Sequence, residues 1–543
     1  MGKTGNEKLI EQLLADECNY MFGNPGTVEQ GFLDAMGNYE SFHYITCLQE
    51  SIAVAMADGY ARKTGHPAIV QLHSGVGLGN GIGMLYQALR GHSPLVVLAG
   101  EAGVKYEAMD AQMACDLTEM ARTVTKWQGK VLHKDSLLRM VRRAVKIAMT
   151  PPMGPVFLAL PLDILDEINT EPVYPSIKIN TNTVPARWED SQEVADLLME
   201  AENPLFIIGD GISFSNGQQE IQRLAEMIGA KVYGADTSLV NFDRSSYLYQ
   251  GDLGHMFGES SREKVRNADV VLIAGTYIFP EVFPSIENPF REDAKIIHID
   301  LDTYEIGKNF GVTIGIGADP ASTIRNIVEM IKEEQSERQI YKATDRKKRL
   351  ETQWRQKESE WKEEGIFSQF CKCLKERQNE NLIIFDEALT SSDILNHYFP
   401  MKTPGTFFQT RGGSLGVGIP GAMGIKLAAP EQIVIGFTGD GGSMYTIQAL
   451  QTATRYQIGA KFVIINNGDY RLLKNNMDEY WEEEHISPHA YPDCFNLNPS
   501  IDFIKLAESM GVKAQRLSDV QQTEDIVQWL LEDDMPALVE IKI

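Results

Sequence analysis

The chain is poor in the features that mark several protein classes. Its 543 residues hold six cysteines (Cys18, Cys47, Cys115, Cys371, Cys373 and Cys494), and no two form Cys-x-x-Cys. A disulfide framework, a zinc site and a thioredoxin-type site are therefore not expected. No apolar run approaches the roughly 18 residues of a membrane helix. The first residues, MGKTGNEKLIEQLLADE, have no apolar signal-peptide core and read as an amphipathic helix. Positive charge is scarce: 50 Lys and Arg stand against 75 Asp and Glu, a net charge of −25. That deficit argues against nucleic acid, whose binders displace counterions with a basic face, and against anionic membranes. Phosphate-loop fingerprints are missing too. Glycines at 75, 77, 79, 81 and 83 never complete Gly-x-Gly-x-x-Gly, because the third position falls on Asn80, Ile82, Met84 or Tyr86. No Walker-type Gly-x-x-x-x-Gly-Lys-Ser/Thr occurs. What these absences leave is a large, acidic, cytoplasmic enzyme.

The composition, 43% hydrophobic and 23% charged, is that of an ordinary globular chain. Short β-rich runs alternate with amphipathic stretches: Ala68–Leu72, Leu95–Ala99, Val156–Leu160, Leu205–Ile208, Val270–Ala274, Ile296–Ile299, Leu382–Phe385, Ile433–Phe437 and Phe462–Ile465. Such alternation predicts an α/β fold of three doubly wound parallel-sheet domains. A polar stretch with three prolines, about 165–189, reads as a linker. The Glu/Lys/Arg/Gln-rich stretch, about 333–364, reads as a solvated helix. The expected domains are 1–164, 190–335 and 360–543.

The most informative stretch runs from Ile433 to Leu473. A strand leads into Gly439-Asp440-Gly441-Gly442-Ser443 and then a helix, with Met444, Ile447 and Leu450 as a buried stripe. A second strand ends in Asn466-Asn467-Gly468. A strand–helix–strand crossover makes the two strands parallel, so Asp440 and Asn467 both lie at carboxyl ends, where α/β sheets bind ligands. Glycines let an anion approach the backbone of the helix start. A carboxylate and an amide oxygen are hard ligands that suit Mg²⁺ together with a carbonyl and diphosphate oxygens. Each piece alone reads more readily as an ordinary turn; the joint spacing favours the site. A second Gly-Asp-Gly, Gly209–Gly211, has no Asn-Asn pair beyond it and reads as a turn.

Asp440 and Asn467, 27 residues apart, resemble the Gly-Asp-Gly … Asn-Asn signature of thiamine diphosphate (ThDP) enzymes. The resemblance implies that Asp440, the Asn467 side chain and the Asp469 carbonyl hold Mg²⁺ against the cofactor diphosphate. Gly439, Gly441, Gly442, Ser443 and Tyr470 are its neighbours there. It implies that Thr390 and Ser391 contact the diphosphate. In RGGSLGVGIPGAMGI (411–425), Gly413 would meet the aminopyrimidine and Leu415 would prop the cofactor in its bent form. Glu50, in YITCLQESIAVAMADGYAR (44–62), matches the family's catalytic glutamate. Its chemistry wants a carboxyl among apolar neighbours, which Ile45, Leu48, Ile52 and Val54 offer. In the family that glutamate and the metal site come from different subunits, which implies a homodimer or homotetramer with the cofactor at the interface. By the same likeness the domains are pyrimidine-binding, middle and diphosphate-binding.

FGNPGT (Phe22–Thr27), LHSGVGLGNGIG (72–83, read as a glycine loop) and GHSPLVVLAG (91–100) are similar to the benzoylformate decarboxylase type. This implies that His73 and Thr27 face a small 2-oxo acid, with His73 in proton transfer. It also implies a reaction in which the cofactor's C2 ylid attacks the ketone, CO₂ leaves and an enamine is protonated. The pattern departs where substrate choice is made: Ala274–Phe290 lacks that type's middle-domain histidine. Arg471 and Lys474 follow Asn467, which suggests a more polar or doubly anionic substrate unless Arg471 pairs with Asp469. Alternatives are a carboligase of the acetolactate synthase type and a catalytically silent scaffold. Nothing in the sequence argues for a flavin in the middle domain.

Overall fold

Parallel strands form where the short apolar runs end in Gly-, Asn- or Asp-containing turns. A computed structural model of the chain describes residues 2–176, 184–254, 256–362, 364–377 and 381–543. Among them lie three six-stranded sheets, every strand pair parallel. The first holds β1 (Tyr20–Gly23), β2 (His43–Thr46), β3 (Ala68–His73), β4 (Leu95–Glu101), β5 (Trp127–Lys130) and β6 (Val156–Pro161), in the order 2-1-3-4-6-5. The second holds β7 (Pro204–Ile208), β8 (Lys231–Gly234), β9 (Tyr249–Asp252), β10 (Val270–Ala274), β11 (Lys295–Asp300) and β12 (Ile314–Gly317), in the order 12-11-10-7-8-9. The third holds β13 (Leu382–Glu387), β14 (Phe407–Gln409), β15 (Ile433–Gly439), β16 (Lys461–Asn466), β17 (Lys513–Leu517) and β18 (Ala537–Lys542), in the order 14-13-15-16-18-17. The first and third sheets therefore share one topology.

All nine expected runs are strands. The strands not foreseen include edge pieces such as Trp127–Lys130 and Tyr249–Asp252, four residues each and half-exposed, too short and polar to show a period. The expected linker lies partly outside the described residues, at 177–183. The acidic-basic stretch forms the helix Glu337–Glu360, with only Ala343 and Leu350 buried.

Two expectations need correction. The glycine-rich stretch after His73 is not a loop but the helix Ser74–Arg90. Its weak intrinsic propensity is overridden by close packing, as where a side chain at Gly77 would reach Glu50 Oε1 at 3.3 Å. The helix after Asp440 is broken into Asp440–Ser443 and Ala449–Arg455. Met444 is consequently exposed, while Ile447 and Leu450 stay in the core.

One hydrophobic cluster joins the first and third sheets, running from Phe22, Ile52 and Val54 through to Phe385, Ile419 and Phe462. At its centre the helix Glu50–Thr64 packs on the helix Gly418–Ala428. Their backbones nearly touch: a Cβ at Gly424 would lie 1.9 Å from the Met56 carbonyl oxygen. Gly424→Ala is therefore expected to destabilise the protein by about 2 kcal/mol or more through overpacking. A lowered urea midpoint with unchanged slope would show it.

Candidate active site

His73 ends β3, and β1 runs beside it, with Gly23 opposite Gln71. The turn Thr27–Glu29 leaves β1 at the same edge. There His73 Nδ1 meets Glu29 Oε2 at 2.9 Å, and Glu29 Oε1 accepts from the Gly100 amide at 3.1 Å. Burial pushes the Glu29 carboxyl above its usual range, against the opposing pull of His73. The chain at Gly26 passes so close that a Cβ would lie 1.9 Å from His73 Nδ1. Thr27 is exposed beside this pair. Sequence reasoning names His73 and Thr27 as candidates and does not name Glu29, which the structure places against His73. A lone glutamate two positions after Thr27 carries no signal until the strands bring it under the ring.

Glu50 opens its helix, whose N-cap, Gln49, accepts from the Ser51 amide at 2.6 Å. The Glu50 side chain is buried, with Asn24 Nδ2 on Oε1 at 3.3 Å and Asn80 Nδ2 on Oε2 at 3.0 Å. Ile45, Ile52 and Val54 are buried nearby in sequence, but Leu48 is 49% exposed and gives no shelter. Two amides, unforeseen from sequence, hold the carboxylate instead. Among the described residues, no hydrogen bond joins Glu50 to the third sheet.

At the third sheet's carboxyl edge, β15 and β16 are adjacent and parallel. Asp440 is buried and bridges them: Oδ1 accepts from the Gly441 amide at 2.8 Å and Oδ2 from the Gly468 amide at 2.7 Å. Burial raises its pKa, and these amides oppose the rise. Asn467 Oδ1 accepts from the Asp469 amide at 3.0 Å. The Tyr470 ring lies against Gly441, and Ser443 Oγ donates to the Asp440 carbonyl at 2.8 Å. Thr390 is exposed and Ser391 buried in the turn Leu389–Ser391 after β13. Gly413 and half-buried Leu415 lie in the segment before the helix Gly418–Ala428, with Gly413 at φ +73°. Ser414 Oγ donates to the Gly83 carbonyl at 2.9 Å, tying this segment to the first domain.

The donor set fits a Mg²⁺–diphosphate group. A Cβ at Gly439 or at Gly413 would meet nothing within 4 Å, so both backbones border open space. Among the described residues no three His, Cys, Asp or Glu side chains cluster as a metal site. A cation here would combine one carboxylate, an amide, a carbonyl and cofactor oxygens, the mixed hard set Mg²⁺ accepts.

The two cations after Asn467 are spent internally. Arg471 Nε lies 3.1 Å from Asp469 Oδ1 and Lys474 Nζ 2.7 Å from Oδ2. Burial would raise the Asp469 pKa, but the two cations hold it below the ordinary value. The second Gly-Asp-Gly leads from β7 into the short helix Gly211–Phe214, with Asp210 buried at its N-cap. Asp210 accepts from the Ser238 amide at 2.9 Å and from Asn241 at 2.9 Å, and lies 3.6 Å from Arg411.

Models of the thiamine pyrophosphate enzymes match in three blocks: the N-terminal TPP binding domain over residues 3–120, the central domain over 191–327 and the C-terminal TPP binding domain over 390–541. The chain belongs to the thiamine pyrophosphate enzyme family. It is 29% identical to a probable acetolactate synthase large subunit of Methanocaldococcus jannaschii, over 99% of this chain and 92% of that one. It is 28% identical to a benzoylformate decarboxylase of Pseudomonas aeruginosa, over 99% and 98%. In fold it is similar to the 4-hydroxybenzoylformate decarboxylase of Rhodococcus jostii, with a TM-score of 0.85 at 24% identity over 99% of each chain. The benzoylformate decarboxylase of Polynucleobacter necessarius gives a TM-score of 0.86 at 22% identity over 100% and 98%. The chain is thus a ThDP enzyme of the decarboxylase and acetolactate synthase group, and no helix among the described residues is long and apolar enough to cross a membrane.

Gly26→Ala is expected to break the His73–Glu29 contact while leaving the fold intact. Shifted His73 ring NMR signals with unchanged far-UV circular dichroism would establish this; an unmoved ring would refute it.

Proposed function

We propose that the chain is a ThDP- and Mg²⁺-dependent 2-oxo acid decarboxylase acting as a homodimer or homotetramer. The observation that carries this reading is the His73–Glu29 pair beside Thr27. After CO₂ leaves a 2-oxo acid, the carbon left behind must gain a proton to become an aldehyde. A histidine backed by a buried glutamate can hold that proton. Bound ThDP supplies the nucleophilic carbon and the electron sink.

The chain's own residues do the rest. Asp440, Asn467 and the Asp469 carbonyl hold the cation. Thr390, Ser391, Gly439, Gly441, Gly442 and Ser443 take the diphosphate beside Tyr470. Gly413 and Leu415 shape the pyrimidine end, and Thr27 orients the substrate carboxylate. Glu50, held by Asn24 and Asn80, would exchange a proton with the pyrimidine of the cofactor held by a second copy. The acidic chain and six free cysteines suit the reducing cytoplasm.

A second reading, carboligation, is supported by the acetolactate synthase relatives. Product analysis with one 2-oxo acid, with and without an acceptor carbonyl compound, separates the two. Aldehyde and CO₂ alone are expected; a hydroxyketone or acetohydroxy acid as main product would favour the second.

Calorimetry should give ThDP binding that needs Mg²⁺, and Asp440→Ala should weaken it about 100-fold. Glu50→Gln should keep binding and lower kcat by about 10²-fold or more. Mixing the two inactive variants after subunit exchange should restore about a quarter of the wild-type active sites, as a shared C₂ interface requires. No recovery would place both residues in one chain's site. Because Asp469 occupies Arg471, Arg471→Ala should lower rates equally on neutral and doubly acidic 2-oxo acids; a selective loss on the acidic ones would restore the polar-substrate idea.

A further inference from the structure

Glu387, the last residue of β13, is 1% exposed, yet among the described residues no ion pair neutralises it. Its carboxylate is taken entirely by the segment that leads into the helix Gly418–Ala428 and by the end of β15. Oε1 accepts from the Gly416 amide and from the Val417 amide at 3.2 Å. Oε2 accepts from the Gly418 amide at 2.7 Å and from Thr438 Oγ1 at 3.0 Å. Thr438 lies two residues before Asp440, and Gly416 lies one residue after Leu415. A single carboxylate thus ties the start of the pyrimidine-side helix to the strand that carries the proposed metal ligand.

The shared strand order gives this contact a counterpart. β1 and β13 hold equivalent places in their sheets, as do β2 and β14. In the first sheet, Asn24, just past β1, donates to Glu50, at the start of the helix after β2. In the third, Glu387 accepts from the start of the helix after β14. The contact is in the same place with donor and acceptor exchanged. The neighbouring Asp386 serves a different turn: it accepts from the Ala388 amide at 2.8 Å, Ser392 Oγ at 2.9 Å and Gln409 Nε2 at 2.9 Å.

We propose that Glu387 is a positioning residue of the cofactor site, which holds the 411–418 segment and Thr438 in one rigid frame before the cofactor arrives. The frame itself is read from this chain alone; its purpose rests on the ThDP reading above. Amides at a helix start have no intrahelical partner, and a carboxylate there gains from charge-assisted bonds and the helix dipole. Ordering the segment in advance spares the cofactor the entropy of doing so.

The test uses the full chain with Glu387→Gln, which keeps the shape but sets an NH₂ against backbone donors. In cofactor-free protein, amide hydrogen exchange of 411–418 should quicken about ten-fold or more. Exchange in β16 should stay unchanged, as it should at 411–418 in Asp386→Asn. By calorimetry the variant should bind ThDP with Mg²⁺ about ten-fold more weakly, and Glu387→Asp should recover part of this loss. Should Glu387→Gln not fold, Thr438→Val removes one donor and should shift exchange and affinity in the same direction, though less. Unchanged exchange at 411–418, or faster exchange everywhere alike, overturns the proposal. If the wild-type chain takes up no ThDP, the cofactor reading fails, while the exchange experiment still decides whether Glu387 is the clamp.

Discussion

The near-contact of two backbones, at Gly424 against Met56 and at Gly59 against Gly421, is the constraint from which the site follows. Each helix starts at a proposed site position: one opens with Glu50, the other follows Gly413 and Leu415. With no side chain between them, the helices cannot slide or separate without opening the cluster shared by the first and third sheets. The relative placement of the two sheets is thus set by core packing, and loops at their carboxyl edges inherit that precision.

Buried carboxylates do a second kind of work. Asp386, Glu387, Asp440, Glu29, Glu50 and Asp210 are all buried, each with its own set of amide, hydroxyl or imidazole donors. Burying a carboxylate is costly unless it is hydrogen-bonded, so each of these groups fixes the backbone or side chains that serve it. Arg411 adds a cation to the scheme: it lies 2.9 Å from Asp236 and donates to the Arg90 carbonyl at 2.9 Å. The segment carrying Gly413 is in this way fastened to all three domains.

Much of this was legible beforehand. Hydrophobic runs of four or five residues located the principal strands, because a strand buried on both faces needs a nearly continuous apolar run. The Gly-Asp-Gly and Asn-Asn pieces fell at adjacent strand ends, because a right-handed crossover places them there. The glycine helix after His73 misled, since propensity speaks for a loop and only tertiary contacts make it helical. The contacts that Glu29, Asn24, Asn80 and Glu387 make carry no signal in the sequence. Each is a common residue in an unremarkable context, and its partner lies in another strand or helix.

The sequence alone determined the fold class, the three-sheet order and the residues that resemble a ThDP site, because periodicity and short motifs are local properties of a chain. Tertiary structure decided which distant side chains pair: Glu29 with His73, two asparagines with Glu50, and Glu387 with the start of a helix. Those pairings depend on distances across strands and between helices, and no one-dimensional spacing encodes them until the core has packed.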